Sequence, residues 1–269
     1  MTAEHLEARF RERRGEGRAT LVCYLTVGDP SVEESTRAAL AALEAGADVL
    51  ELGVPFSDPT ADGPVIAAAA YRAIQRGGSL RAALEVARAV RARSPAPIVL
   101  FSYYNPILSF GPAELPPAAA AAGADGILVV DLPPEEGSEL RGAAAAAGLA
   151  MIPLVAPTTG REREPLVVGG ARGFVYYVSL TGVTGSGAAP LAEAAASAAA
   201  LRERVGLPVV VGFGITSPEK ARLVADSGVD GVVVGTALVQ VIAAAGSTEE
   251  RERGVRDFVG SLRRGLDAR

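Results

Sequence analysis

Eight short runs rich in β-branched residues alternate along this chain with longer segments rich in Ala, Leu, Glu and Arg. That alternation restricts the fold to a parallel-sheet α/β architecture. The predicted strands cover residues 19–26, 48–53, 97–102, 126–132, 150–155, 173–179, 208–212 and 231–236. Helical spacing of apolar residues marks 32–45, 80–93, 135–147, 190–205 and 218–227. Helix entries carry capping residues at Asp29-Pro30-Ser31 and Thr216-Ser217-Pro218-Glu219. Helix exits carry glycine, and the element Ala45-Gly46-Ala47-Asp48 returns as Ala122-Gly123-Ala124-Asp125 and, in looser form, Ser227-Gly228-Val229-Asp230. Eight strand–helix units in one chain of this length fit a (β/α)8 barrel, with extra N-terminal and C-terminal helices at 2–13 and 249–266. An open doubly wound sheet would carry a Gly-rich loop after its first strand, where this chain has Thr26-Val27-Gly28-Asp29-Pro30. No linker divides residues 1–269, so a single TIM-barrel domain is expected.

What the chain lacks narrows its chemistry. His5, in a charged N-terminal segment, is the only histidine, Lys220 the only lysine and Cys23 the only cysteine. A histidine-ligated metal, a Ser-His pair and a lysine Schiff base are each left with one poorly placed residue. No metal is expected, and acid–base work falls to carboxylates, tyrosines or water. The net charge of -5 argues against nucleic acid as a partner. No apolar run reaches the roughly 20 residues of a membrane span. With one cysteine and no secretory leader, a cytoplasmic location is expected.

Three predicted strands end in glycine-bearing loops: Thr181-Gly182-Val183-Thr184-Gly185-Ser186-Gly187, Gly212-Phe213-Gly214 and Gly235-Thr236-Ala237. In barrels a phosphate commonly sits on the last two strand ends, against the N-terminus of a short extra helix, here 237–245. The plainer reading is that these glycines serve tight turns.

Two acids stand near one strand end. Glu51 alternates with Leu50 and Leu52, so it faces the barrel interior if the leucines face the helices. It is then either catalytic, paired with a buried arginine or capping a loop. Asp62 follows eleven residues later in a loop, where Asp-Gly is also an ordinary turn pair. Asp131, ending the fourth predicted strand, is a third acid at a strand end.

The run Glu51-Leu52-Gly53-Val54-Pro55-Phe56-Ser57-Asp58-Pro59-Thr60-Ala61-Asp62-Gly63-Pro64 resembles a signature of the tryptophan synthase alpha chain family. So do Leu25-Thr26-Val27-Gly28-Asp29-Pro30, Tyr103-Tyr104-Asn105-Pro106 and the three glycine motifs. The resemblance implies a lyase that cleaves indole-3-glycerol phosphate to indole and glyceraldehyde 3-phosphate in tryptophan biosynthesis. It implies Glu51 as the general acid/base and Asp62 as the acceptor for the indole N–H. Tyr176 and Thr184 would neighbour the acids, and Phe213, Tyr24 and Phe101 would line the indole. Gly185, Gly214, Gly235 and Thr236 would hold the phosphate. It also implies an αββα heterotetramer in which the beta chain, not this chain, carries pyridoxal phosphate. Residues 55–59 and 105–110 would form the docking surface. Thr60 replaces an expected aliphatic residue, and the loop after Gly185 lacks an expected arginine.

Two other readings compete. Another phosphosugar barrel, such as an isomerase, an epimerase or an indole-glycerol phosphate synthase, would need the lysine or histidine that this chain scarcely has. A non-catalytic activator of the beta chain would have no use for Glu51 and Asp62.

Overall fold

The computed structural model describes residues 2–178, 188–212 and 214–268. The chain opens with helix α1 (Ala3–Gly15), strand β1 (Thr20–Thr26), α2 (Val32–Glu44) and β2 (Val49–Gly53). Then follow α3 (Pro64–Gln75), α4 (Leu80–Arg91), β3 (Ile98–Ser102), α5 (Tyr104–Phe110), α6 (Leu115–Ala121) and β4 (Gly126–Val129). The middle holds α7 (Ser138–Ala146), β5 (Ala150–Ile152), β6 (Leu154–Val155), α8 (Glu164–Val168) and β7 (Val175–Tyr177). Last come α9 (Ala188–Val205), β8 (Val209–Val211), α10 (Pro218–Ala225), β9 (Gly231–Val234), α11 (Thr236–Ala244) and α12 (Thr248–Asp267).

All pairings are parallel, in the order β5-β4-β3-β2-β1-β9-β8-β7-β6. The two ends of this sheet are consecutive in the chain, so the ring closes through Pro153. The predicted fifth strand is thus two short ones. Proline has no N–H for a ladder; its carbonyl instead accepts from the Tyr176 N–H at 2.9 Å. The first half pairs with β4 and the second with β7. This is the expected barrel, with its fifth stave broken in the middle.

The strand faces sort as period-2 alternation requires. Leu50, Leu52, Ile98, Leu100, Val209 and Val211 face the helices in the main core. Val22, Val49, Val99, Leu128, Val210 and Val233 face the interior. Leu6 and Phe10 of α1 fill the floor of that interior, with Phe10 on Phe174 at 5.2 Å between ring centroids.

The three repeated aspartates share one job at that floor. Asp48 accepts from the Leu21 N–H, Asp125 from Ile98 and Asp230 from Val209, at 2.9, 2.9 and 3.0 Å, each tying a strand to its neighbour. Each also holds an arginine from an outer helix: Arg263, Arg91 and Arg202. Helix α1 reaches all three, through Arg13 to Asp48 (2.5 Å), His5 to Asp125 (2.9 Å) and Arg14 to Asp230 (3.7 Å). Buried charges need such partners.

Candidate active site

Glu51 lies on β2, inside the barrel and fully buried. Among the described residues neither of its carboxylate oxygens has a hydrogen-bond partner. The buried-arginine reading therefore finds no support. Desolvation alone pushes its carboxyl from 4.5 up to about 8.

Asp62 is half-buried in the loop between β2 and α3. Its N–H donates to the Pro59 carbonyl at 3.0 Å, closing a turn over 59–62 in which Asp62 is the last residue. Its side chain does more, because the Tyr103 hydroxyl donates to Oδ2 at 3.1 Å. Desolvation raises the Asp62 carboxyl to about 6, and that hydrogen bond holds it back from rising further. Tyr103 also accepts from the Ala61 N–H at 3.0 Å, so one buried phenol pins both backbone and carboxylate of this loop. Phe56, from the same loop, packs on the Tyr103 ring at 5.3 Å.

Tyr24 is the register partner of Glu51 across β1 and β2. Phe101 pairs with Gly53 across β2 and β3 and meets the Tyr24 ring edge-on at 5.2 Å. Ala69 of α3 and Val239 of α11 close over Tyr24. Arg72 of α3 grips Asp29 after β1 at 3.0 and 2.6 Å, which ties α3 down. Tyr176, on β7, stays protonated through burial and then through the nearby Glu51, Tyr24 and Asp62. These groups therefore lie near one another on the interior side of the barrel. Gly53 and Gly212 make room for the two tyrosines: a Cβ on either would lie 2.2 or 2.1 Å from the Tyr24 or Tyr176 hydroxyl.

Gly235 precedes α11, and Thr236 is its first residue, half-buried with no side-chain cap satisfying the helix start. Its free N–H groups suit an anion. Gly214, on the loop after β8, holds a left-handed φ of 74°. Thr184, Gly185 and Phe213 lie outside the described residues. Asp131 accepts from the Tyr104 N–H at 2.7 Å and so caps α5. Among the described residues no three His, Cys, Asp or Glu side chains gather as metal ligands, and no helix is long and apolar enough to cross a membrane.

The family model described as tryptophan synthase alpha chain matches residues 10–265. The chain belongs to the tryptophan synthase alpha chain family. A tryptophan synthase alpha chain from Geobacter sulfurreducens is 46% identical over 257 residues, covering 96% of this chain and 97% of that one. Tryptophan synthase subunit alpha from Legionella pneumophila superposes with a TM-score of 0.90 at 34% identity, over 99% of both chains. A tryptophan synthase structure from Mycobacterium tuberculosis gives 0.87 at 35% identity, over 97% of both. The family's alpha reaction cleaves indole-3-glycerol phosphate, and it is a lyase reaction of tryptophan biosynthesis. The alpha chain pairs with a beta chain, to which pyridoxal phosphate belongs.

Proposed function

We propose that Glu51 and Asp62 divide the alpha reaction between them. The observation that carries this is the fully buried Glu51, on the interior face of the barrel with no hydrogen-bond partner among the described residues. Ionised Glu51 takes the proton from the glycerol hydroxyl next to the ring. Glu51 passes that proton to indole C3 and is ionised again, and the ring becomes a cationic indolenine whose N–H is held by Asp62. The hydroxyl oxygen then forms its carbonyl, the bond from that carbon to C3 breaks, and its electrons restore the aromatic ring. One hydrogen has moved from oxygen to carbon, and no electrons have left the system. Desolvation favours both steps, since a carboxylate that water does not solvate is a stronger base, and a cation–carboxylate contact gains in a drier site.

Tyr24, Phe101 and Tyr176 line the indole, together with Phe213 and Thr184. The phosphate sits at the start of α11, on Gly235 and Thr236, with Gly214 and Gly185 beside it. Residues 1–269 act as one domain in the cytoplasm, within an αββα complex. The supporting test is release of glyceraldehyde 3-phosphate from indole-3-glycerol phosphate by the purified chain. Glu51→Gln should remove turnover and leave binding of a phosphate-bearing substrate analogue in place; unchanged turnover would overturn the role of Glu51.

A further inference from the structure

Two tyrosines inside the barrel have matching surroundings and different partners. Tyr24 and Tyr176 each fold over a glycine of the neighbouring chain segment, Gly53 at the end of β2 and Gly212 just after β8. Tyr176 commits its proton to the backbone, donating to the Gly212 carbonyl at 3.3 Å. Tyr24 has no carbonyl partner among the described residues. Its hydroxyl meets only the Thr26 hydroxyl there, at 3.5 Å, which is the outer limit of a hydrogen bond. A buried phenol ordinarily finds a better partner.

The position of Tyr24 suggests what that partner is. It pairs in register with Glu51, so the two side chains rise from adjacent strands on the interior face. Its hydroxyl reaches over Gly53, two residues beyond Glu51 toward the mouth. Burial, and then the charges of Asp62 and Glu51, keep the phenol protonated, so it is available as a donor.

We infer that the Tyr24 hydroxyl is a substrate-contacting donor, aimed at the oxygen from which Glu51 removes a proton. This rests on the reading of Glu51 given above. That oxygen gains negative character as its proton leaves and before its carbonyl is complete. A donor placed there binds the transition state more strongly than the ground state. Tyr24 keeps its proton throughout, and no bond to it forms or breaks.

Tyr24→Phe tests this, because it keeps the ring and its packing on Phe101, Ala69 and Val239 and removes only the O–H. The expected result, with indole-3-glycerol phosphate as substrate, is a fall in kcat of about tenfold or more, of the kind seen when a transition-state donor is removed. KM and the thermal midpoint should stay close to those of the parent. Turnover equal to the parent's would overturn the inference. Thr26→Val is the second arm. If the hydroxyl serves substrate, this variant keeps its kcat. If Thr26→Val and Tyr24→Phe instead lower the melting temperature equally and non-additively, with kcat intact, the hydroxyl serves Thr26 alone and the inference falls. Glu51→Gln run in parallel separates the two claims. Full turnover there overturns the site reading itself, whereas a dead Glu51→Gln beside an unaffected Tyr24→Phe overturns only the role of Tyr24.

Discussion

A carboxyl group with no exposed surface and no donor in reach among the described residues resists ionisation, and Glu51 is in that position. Its folded value of about 8 lies above the unfolded 4.5, so between those limits the folded chain holds a proton that the unfolded chain has released. Stability therefore falls as pH rises through that window. The melting temperature should drop between about pH 5 and pH 8.5, and Glu51→Gln should flatten the drop; an equal slope in both proteins would show that Glu51 does not cause it. Activity runs the other way, because the base must be ionised. The ratio kcat/KM should climb with pH through about 8, and below about 6 it should be lost further as Asp62 protonates. Asp62→Asn should cost on the order of a hundredfold in kcat, read in the same assay. The place of Glu51 is legible in the sequence, since Leu50 and Leu52 on either side fix its face. Tyr103 is not, because its partner Asp62 lies 41 residues away, and only the folded chain brings the phenol to that carboxylate.

At the scale of elements, strands and capped helices follow from local pattern, as Ser31 and Ser217 show by accepting from Glu34 and Lys220. Four helices escape such a reading for two reasons. Helices α5, α6 and α8 have seven, seven and five residues, too few for a period to emerge. Helix α3 is apolar on nearly all sides, with Tyr71 and Ile74 left exposed, so no polar face sets its phase. The repeated Gly-Ala-Asp motif is visible as a repeat, but its purpose is not. Only the structure shows each aspartate clamping a strand N–H, an outer arginine and a residue of α1. Asp125→Ala should strand Arg91 and the Ile98 N–H in a buried place and cost about 3–5 kcal/mol in denaturant unfolding. Phe10→Ala, which empties the floor beneath Phe174, should cost a similar ~3–5 kcal/mol. A loss below about 1 kcal/mol in both would mean that α1 only rests on the barrel.

For the molecule as a whole, the surface that a beta chain is expected to cover and the buried acid belong to one connected set of residues. The expected docking segments, 55–59 and 105–110, are physically joined to the site. Phe56 stacks on Tyr103, Tyr103 holds Asp62, and Tyr104, the next residue, starts α5 with its N–H on Asp131. Pressure on α5 or on the 55–59 loop therefore bears on the group that positions Asp62. Leu108 of α5 is 57% exposed, an apolar side chain free to be covered by a partner, while Phe110 at the end of the helix is already covered by the Arg81 guanidinium at 4.9 Å. Leu108→Glu puts a charge into that contact without reaching the barrel interior. The isolated variant should cleave indole-3-glycerol phosphate at the parent's own rate without beta chain. Titration with beta chain should then need roughly tenfold more partner for half-maximal activation, or lose activation altogether, as expected for a charge buried at an interface. An activation curve superimposable on the parent's would place the contact elsewhere on the surface. A basal rate lost along with activation would mean that α5 positions Asp62 directly, with no partner needed to transmit the change.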